Sequence, residues 1–257
     1  MNLRTTAFAG IIIALTSLTG CGGGGSTFGV VDPDVKFVNA LSDGASVDFY
    51  INDSLQYAGV AAGTSITGFK TYEFVSEGDG GYDVSVNVAG NSNDLERDVQ
   101  VFGQNSHTIG LLFGLSDPAA DQDKRAQQDF FTVDRRSPNG LKSRLLIYNA
   151  LQQDNGVENQ AINFQSFDPS DPASETNPQY RRSNLSYGMF DAGANALDID
   201  AGTFTFQARQ SGTDGLEVFA SSTRAFVAGK TYLAVVRGQV GSATNAPTIN
   251  FIEIEPQ

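Results

Sequence analysis

The chain has 257 residues with 16 basic and 29 acidic side chains, which give a formal net charge of −13 at pH 7. This charge argues against nucleic acid as a partner, because proteins hold phosphate backbones through clustered Lys and Arg. Cys21 is the only cysteine, so the sequence offers no intrachain disulfide and no zinc–thiolate cluster.

The first element in chain order is an apolar segment from Ala7 to Leu15, which follows Arg4. It is too short to span a bilayer but has the length of a signal-peptide core. The segment leads to Leu18-Thr19-Gly20-Cys21, which resembles the lipobox of bacterial lipoproteins. The resemblance implies cleavage between Gly20 and Cys21 and acylation of Cys21, with palmitate among the acyl chains. The alternative is a plain secretory signal with a coincidental cysteine.

The residues after Cys21 bear on location. Gly22 occupies the position at which an aspartate favours retention in the inner membrane. The resemblance therefore implies the outer membrane of a Gram-negative cell, and it leaves open whether the protein lies on the periplasmic or the surface face. The stretch Gly22–Ser26 is glycine-rich and predicts a flexible tether that continues to about Asp34. Such a linker spans about 20 Å, so it lifts a domain only just clear of the lipid.

Beyond the tether the sequence repeats itself once, with divergent but collinear copies. The matched segments are Phe37–Leu41 with Ile147–Leu151, Val47–Phe49 with Ile162–Phe164, Gly81–Val86 with Gly202–Phe206, Val101–Gly103 with Phe226–Gly229, Thr108–Gly114 with Thr231–Gly238, and Phe130–Asp134 with Ile249–Ile254. Matches in the same order predict two tandem domains, each large enough to bury a core of its own.

Within each copy the apolar period is two. Val47, Phe49 and Ile51 alternate with polar neighbours, and polar turns such as Asn52-Asp53-Ser54 separate the short runs. This pattern predicts an all-β fold with one small antiparallel β-sandwich per copy. The predicted bounds are 1–20 for the signal peptide, 21–33 for the lipidated tether, 34–137 for the first domain and 138–257 for the second.

The segments Val35–Ala40, Val47–Ile51, Tyr82–Val88 and Gly103–Gly114 together resemble the bacterial "domain of unknown function 4397" family. The resemblance implies two tandem immunoglobulin-like β-sandwich domains in an exported protein. It implies no reaction, ligand or cofactor, and the family supplies no catalytic motif. The second copy departs from the pattern through an insertion from Asp168 to about Arg182.

Groups suited to catalysis or metal binding are few. His107 is the only histidine and falls in a predicted strand, which favours a structural role over a catalytic one. Asp198 and Asp200 lie on one side of an extended segment and are weak calcium candidates. Asp117, Asp121 and Asp123 form a second acidic loop, but neither group meets the EF-hand pattern. We therefore predict no cofactor and no catalytic residue.

The two long connections are the places where a binding function is expected. Ser116 to Gln128 predicts a short helix with Asp117 as its N-cap. Asp168 to Arg182 contains three prolines after small polar residues, which favours an extended, irregular loop. If this loop binds a partner, Tyr180, Arg181 and Arg182 are the expected contacts, because aromatic and arginine side chains commonly anchor interfaces.

These patterns predict a lipid-anchored envelope protein that is not an enzyme and that binds or supports another component. Its predicted partners are the membrane, through Cys21, and an unidentified envelope protein or glycan. The alternative is a surface protein that binds or processes glycans. The absence of tryptophan counts against that alternative, since sugar-binding platforms rely on flat aromatic surfaces.

Overall fold

The structure is a computed structural model that describes residues 31–75, 80–134, 138, 140–153, 161–191, 196–212 and 217–254. The predicted signal peptide, Gly20, Cys21 and most of the tether lie outside these residues. The described chain contains eighteen β-strands in two sets with the same order, which confirms the predicted all-β fold of two sandwiches.

The first unit consists of nine strands in two facing sheets. These are β1 Asp34–Leu41, β2 Val47–Ile51, β3 Ser54–Val60, β4 Thr64–Ser65, β5 Lys70–Thr71, β6 Tyr82–Val88, β7 Asp94–Gln100, β8 His107–Gly114 and β9 Gln127–Thr132. One sheet has the order β4-β1-β8-β9, with β5 also paired to β1, and the other has the order β3-β2-β6-β7.

The second unit repeats this plan. Its strands are β10 Lys142–Gln153, β11 Ile162–Phe167, β12 Arg181–Leu185, β13 Met189–Asp191, β14 Leu197–Asp200, β15 Gly202–Gln210, β16 Val218–Phe226, β17 Thr231–Val240 and β18 Thr248–Ile254. One sheet has the order β13-β10-β17-β18, with β14 also paired to β10, and the other has the order β12-β11-β15-β16.

One pairing in each unit differs from the predicted antiparallel sandwich. Strand β1 runs parallel to β8, and β10 runs parallel to β17, whereas the other pairings between strands are antiparallel. Alternating polar and apolar residues report which face of a strand is buried but not the direction of its neighbour, so the sequence pattern missed this feature. In the parallel pairings His107 lies opposite Asp34 and Thr231 lies opposite Arg144, so His107 and Thr231 occupy equivalent positions in the two units. The sequence comparison aligned Thr108 with Thr231, which is one residue away.

Two side-chain contacts recur at equivalent positions and hold the two sheets of each unit together. The Asn39 amide donates to the carbonyls of Ala45 and Val60, both at 2.8 Å, and the Asn149 amide donates to the Leu185 carbonyl at 2.8 Å. The Oδ1 atom of each asparagine accepts the backbone N–H two residues later. Both asparagines are fully buried, so these bonds satisfy amides that otherwise carry a large desolvation cost.

The four central strands, β1, β8, β10 and β17, are buried on both faces. Phe37, Leu41 and Leu112 point into the core of the first unit, while Val38 and Leu111 point out of it into a third core. The second unit contributes Leu146, Tyr148, Ala150, Leu233, Val235, Ile252 and Ile254 to that same core. The four sheets therefore stack in the order β3-β2-β6-β7, β4-β1-β8-β9, β13-β10-β17-β18 and β12-β11-β15-β16.

Aromatic and polar contacts cross between the units within this shared core. Phe131 of the first unit stacks on Phe190 of the second with ring centroids 3.6 Å apart. Arg237 of the second unit donates to the carbonyls of Leu41 at 3.0 Å and Ala62 at 3.2 Å, and burial lowers the pKa of its guanidinium. The sequence predicted one independent core per copy, because a continuous apolar run does not show that a strand is covered on its outer face as well.

The strand directions place the loops at two opposite ends of the molecule. The tether end carries the starts of β1, β8, β10 and β17, with Val31, the 52–53 turn, the 168–180 connection and the end of β18 at Ile254. The far end carries the ends of those four strands and the 115–126 connection. An ion pair between Asp134 and Arg144, 3.7 Å apart, joins the two units at the tether end.

Both long connections differ from their predicted conformations. The 115–126 connection forms turns instead of a helix: the Asp117 carboxylate accepts the Ala119 N–H at 2.8 Å, and the Ala120 N–H bonds the Asp117 carbonyl. In the other connection Pro172–Glu175 forms a 3₁₀ turn capped by Asp171, and Arg181 and Arg182 already belong to β12. Asp and Pro favour tight turns as well as helix starts, so the pattern located both connections but not the length of the structure that each one forms.

Candidate functional site

His107 lies at the start of β8 and faces Asp34 of β1. Its Nδ1 atom is 3.2 Å from Asp34 Oδ2, and the hydroxyl of Thr71 donates to Asp34 Oδ1 at 2.7 Å. A nucleophilic hydroxyl would have to bond the imidazole rather than the carboxylate for the base to accept its proton. The contacts therefore link Thr71 to Asp34 and Asp34 to His107. They join β5, β1 and β8 and do not form a catalytic triad.

The calcium candidates Asp198 and Asp200 form a ladder with the opposite strand. Asp198 lies opposite Arg144 and Asp200 opposite Lys142, with shortest N–O distances of 3.7 Å and 2.9 Å. The two carboxylates thus face the cations Lys142 and Arg144 of β10. Among the described residues, no group of three or more His, Cys, Asp and Glu side chains is placed to hold a metal ion.

Tyr180 is half-buried and bonds to other parts of the second unit. Its hydroxyl donates to Asp200 Oδ2 at 2.7 Å and accepts the Asp200 N–H at 3.0 Å, and its backbone N–H donates to Ser166 Oγ at 3.0 Å. Hydrogen bonds from Lys142 and Tyr180 to the Asp200 carboxylate lower the pKa of that group. Tyr180 thus fixes the end of the inserted connection, and of the three predicted contact residues Arg181 is the exposed one.

The inserted connection covers the outer face of β11 and β15. Glu175 accepts a hydrogen bond from Gln165 through its carbonyl and pairs with the Arg209 guanidinium at 3.0 Å through its carboxylate. Gln165 and Arg209 are consequently buried. A polar cleft of about 350 Å³ remains beside the connection, lined by Ser166, Asp168, Asp171, Asn177, Thr203 and Phe204 among others.

Two adjoining openings lie at the far end, between β7 and the 115–126 connection. One has a volume of about 300 Å³ and is lined by Asn91, Asn93, Asp94, Ser116, Asp117 and Arg125 among others. The other has a volume of about 750 Å³ and shares Leu95, Arg125 and Ala126 with the first. Burial and the neighbouring Asp98 raise the pKa of Glu96, which lines the larger opening.

Local contacts fix the walls of these far-end openings. The backbone N–H and hydroxyl of Ser116 both donate to Asp43 Oδ2 at 2.6 Å, and Arg125 Nε donates to the Ala120 carbonyl at 2.8 Å. The guanidinium of Arg125 is thereby oriented at the boundary between the two openings. The sequence marked this connection as a place for binding but did not single out Arg125 or Glu96, because it does not show that β7 forms the opposite wall.

No helix within the described residues is long and apolar enough to cross a membrane. No protein-family model and no curated protein matches the chain. Among solved structures, the chain is similar to a "putative cell adhesion protein" from Bacteroides ovatus, with 10% identity, a TM-score of 0.21 and coverage of 87% of this chain and 96% of that one. A second "putative cell adhesion protein", from Bacteroides fragilis, has 9% identity, a TM-score of 0.19 and coverage of 88% and 98%. Likenesses this distant carry no conclusion about this chain.

Proposed function

We propose that this protein is a non-catalytic binding module of the bacterial envelope, anchored in the outer membrane by lipidated Cys21. In this proposal the two sandwiches act as one rigid body that presents its far end to another envelope protein. The observation that carries the proposal is the division of the molecule: the tether enters at Val31, and the openings around Arg125 lie at the opposite end.

The side chains considered for catalysis or metal binding are engaged in ion pairs, which supports a non-catalytic role. His107 is paired with Asp34, and the carboxylates of Asp198 and Asp200 face Arg144 and Lys142. Each of these contacts joins neighbouring strands. Their geometry therefore accounts for the residues as parts of the sandwich.

A glycan-binding role receives less support from the described residues. Stacking on sugars requires exposed aromatic faces, and every Phe and Tyr side chain in the described part of the chain is buried or half-buried. The cleft beside the 168–180 connection offers Phe204 at its wall, but that ring packs edge-on against Tyr180.

The partner-binding part of the proposal is tested by pull-down from the native envelope with the intact lipoprotein. We expect specific recovery of one protein, lost with Arg125→Ala and retained with Arg181→Ala. The two variants are matched, since each removes one exposed guanidinium and they lie at opposite ends. Loss with Arg181→Ala instead would place the contact at the start of β12, next to the inserted connection, and specific recovery of no protein would contradict a binding role.

The anchor is tested separately by the intact mass of the protein extracted from the envelope. We expect a mature chain that begins at an acylated Cys21, and a Cys21→Ala chain found in the soluble fraction. An unmodified Cys21 would contradict the anchor without bearing on the far-end openings.

A further inference from the structure

Apolar side chains are exposed at the tether end of both units. Leu141, just before β10, has 81% of its surface exposed, Val227, just after β16, has 53%, and Val31, just before β1, has 52%. Single exposed apolar residues are common. These three, however, occupy the same end of the molecule.

Backbone contacts establish that shared location. The Gly229 N–H donates to the Lys142 carbonyl at 2.8 Å, and Ser143 Oγ donates to the Val227 carbonyl, so the backbone segments next to Leu141 and Val227 are joined. In the first unit the Asn105 N–H donates to the Val31 carbonyl at 2.8 Å. The Asp134–Arg144 ion pair then brings the two units together at this end.

The length of chain before Val31 limits where this end can lie. Val31 is the tenth residue after Cys21, and a chain of that length reaches about 35 Å when fully extended and less on average. The twelve residues of β10 alone extend about 40 Å from the tether end towards the far end. A lipid on Cys21 therefore keeps the tether end, and not the far end, within reach of the bilayer.

Ion pairs neutralise part of the charge at both ends. The far-end connection carries Asp117, Asp121 and Asp123 beside Lys124 and Arg125, and Lys124 pairs with Asp121 at 3.8 Å. At the tether end the pairs Asp134–Arg144, Asp200–Lys142 and Glu253–Lys230 neutralise three carboxylates. Neutralised charge together with exposed Leu and Val fits a lipid headgroup region better than it fits bulk water.

We propose that the tether end is a membrane-contact surface, with Leu141 and Val227 placed at headgroup depth on the lipid to which Cys21 is attached. This inference rests on the proposed lipid anchor. It fixes the orientation of the whole body: the four stacked sheets stand upright and the Arg125 openings face away from the membrane.

The test uses the lipidated full chain in vesicles of phosphatidylethanolamine and phosphatidylglycerol. Since Cys21 is acylated, an introduced cysteine is the only free thiol for an environment-sensitive fluorophore. Leu141→Cys and Val227→Cys report on the tether end. Ala119→Cys and Ala243→Cys, both at exposed positions of the far end, are the matched controls. Spin-labelled lipids in the vesicles quench fluorophores near the headgroups.

We expect severalfold stronger quenching at positions 141 and 227 than at positions 119 and 243. Equal quenching, or stronger quenching at the far end, in chains that float with the vesicles would overturn the orientation while leaving the anchor intact. Chains that do not float with the vesicles would instead refute the anchor itself, so the two failures are distinguishable.

Discussion

The two units of this protein form the same arrangement of strands, but one of their connections differs in length. Both place a buried asparagine, Asn39 or Asn149, at the same point of the first strand, and in both a glycine of the parallel neighbour, Gly114 or Gly238, pairs with the leucine two residues after that asparagine. They differ between their second and third strands. The first unit turns in two residues, Asn52 and Asp53, which both have positive φ as a tight hairpin requires, while the second inserts residues 168–180.

The difference separates what the fold requires from what it tolerates. The asparagine amides bond backbone carbonyls in or next to the facing sheet, and the two glycines lie against the backbone of the loops at Arg125 and Ala246. A hairpin connection lies at the surface, where added chain has a small entropic cost. The inserted chain lies over β11 and β15 and buries Arg209 against Glu175. The second unit is therefore the one whose outer face this connection covers.

The largest expected effect comes from the two equivalent glycines. A Cβ on Gly114 would lie 2.2 Å from the Arg125 carbonyl oxygen, and one on Gly238 would lie 2.6 Å from the Ala246 carbonyl oxygen. Both residues also have positive φ. We expect Gly114→Ala and Gly238→Ala each to lower the free energy of unfolding by about 3–5 kcal/mol, from strain and overlap together.

Urea unfolding measures this prediction, with Gly140→Ala as a control because a Cβ there meets no atom within 4 Å. Gly114→Ala should be the more damaging of the pair, since its overlap is closer. A control-like stability for either variant would show that the two units do not share this constraint.

Two adjacent leucines of β8 distinguish the unit's own core from the shared one. Leu112 packs inside the first unit and Leu111 in the core between the units, and both are fully buried. Each change to Ala should cost about 2–5 kcal/mol. Hydrogen exchange should quicken in the first unit for Leu112→Ala, and also along β10 and β17 for Leu111→Ala. Exchange that stays confined to the first unit in both variants would show that the shared core does not couple the units.

The buried asparagines give a smaller, paired effect. Removing the amide leaves half-buried or buried carbonyls without this donor, so Asn39→Ala and Asn149→Ala should each cost about 1–3 kcal/mol. Asn39 should cost more, because its amide donates to two carbonyls and that of Asn149 to one. The side chains lie in separate cores, so the double variant should be additive in thermal or urea unfolding. Strong non-additivity would contradict that separation.

The smallest expected effect is on the pH dependence of stability, through the Asp200 carboxylate that Tyr180 of the inserted connection contacts. The pKa of Asp200 is lowered by its bonds to Lys142 and Tyr180, so its contribution to stability is present above the unfolded pKa of about 3.9 and is lost as the pH falls through the folded value. Tyr180→Phe should raise the pKa of Asp200, measured by NMR titration, and weaken the acid dependence slightly. An unchanged pKa would show that the hydroxyl does not hold the carboxylate.

Much of the fold could be predicted from the sequence, and the candidate site much less. The alternation at Val47, Phe49 and Ile51 reports a strand with one buried face, and the collinear copies report two such units. Alternation does not report strand direction or a second covered face, so the parallel pairing of β1 with β8 and the shared core were missed. Tyr180 bonds Asp200, twenty residues away in sequence, and no local pattern encodes that contact.

Rigidity of the double sandwich is the central claim, and a distance measurement between its outermost sheets tests it most directly. Val99 of β7 and Ala225 of β16 are exposed strand residues on the first and fourth layers. Spin labels on Val99→Cys and Ala225→Cys, with Cys21 acylated or replaced by Ala, should give one narrow distance distribution by double electron–electron resonance. A broad or two-peaked distribution would show that the units move independently and would contradict the account.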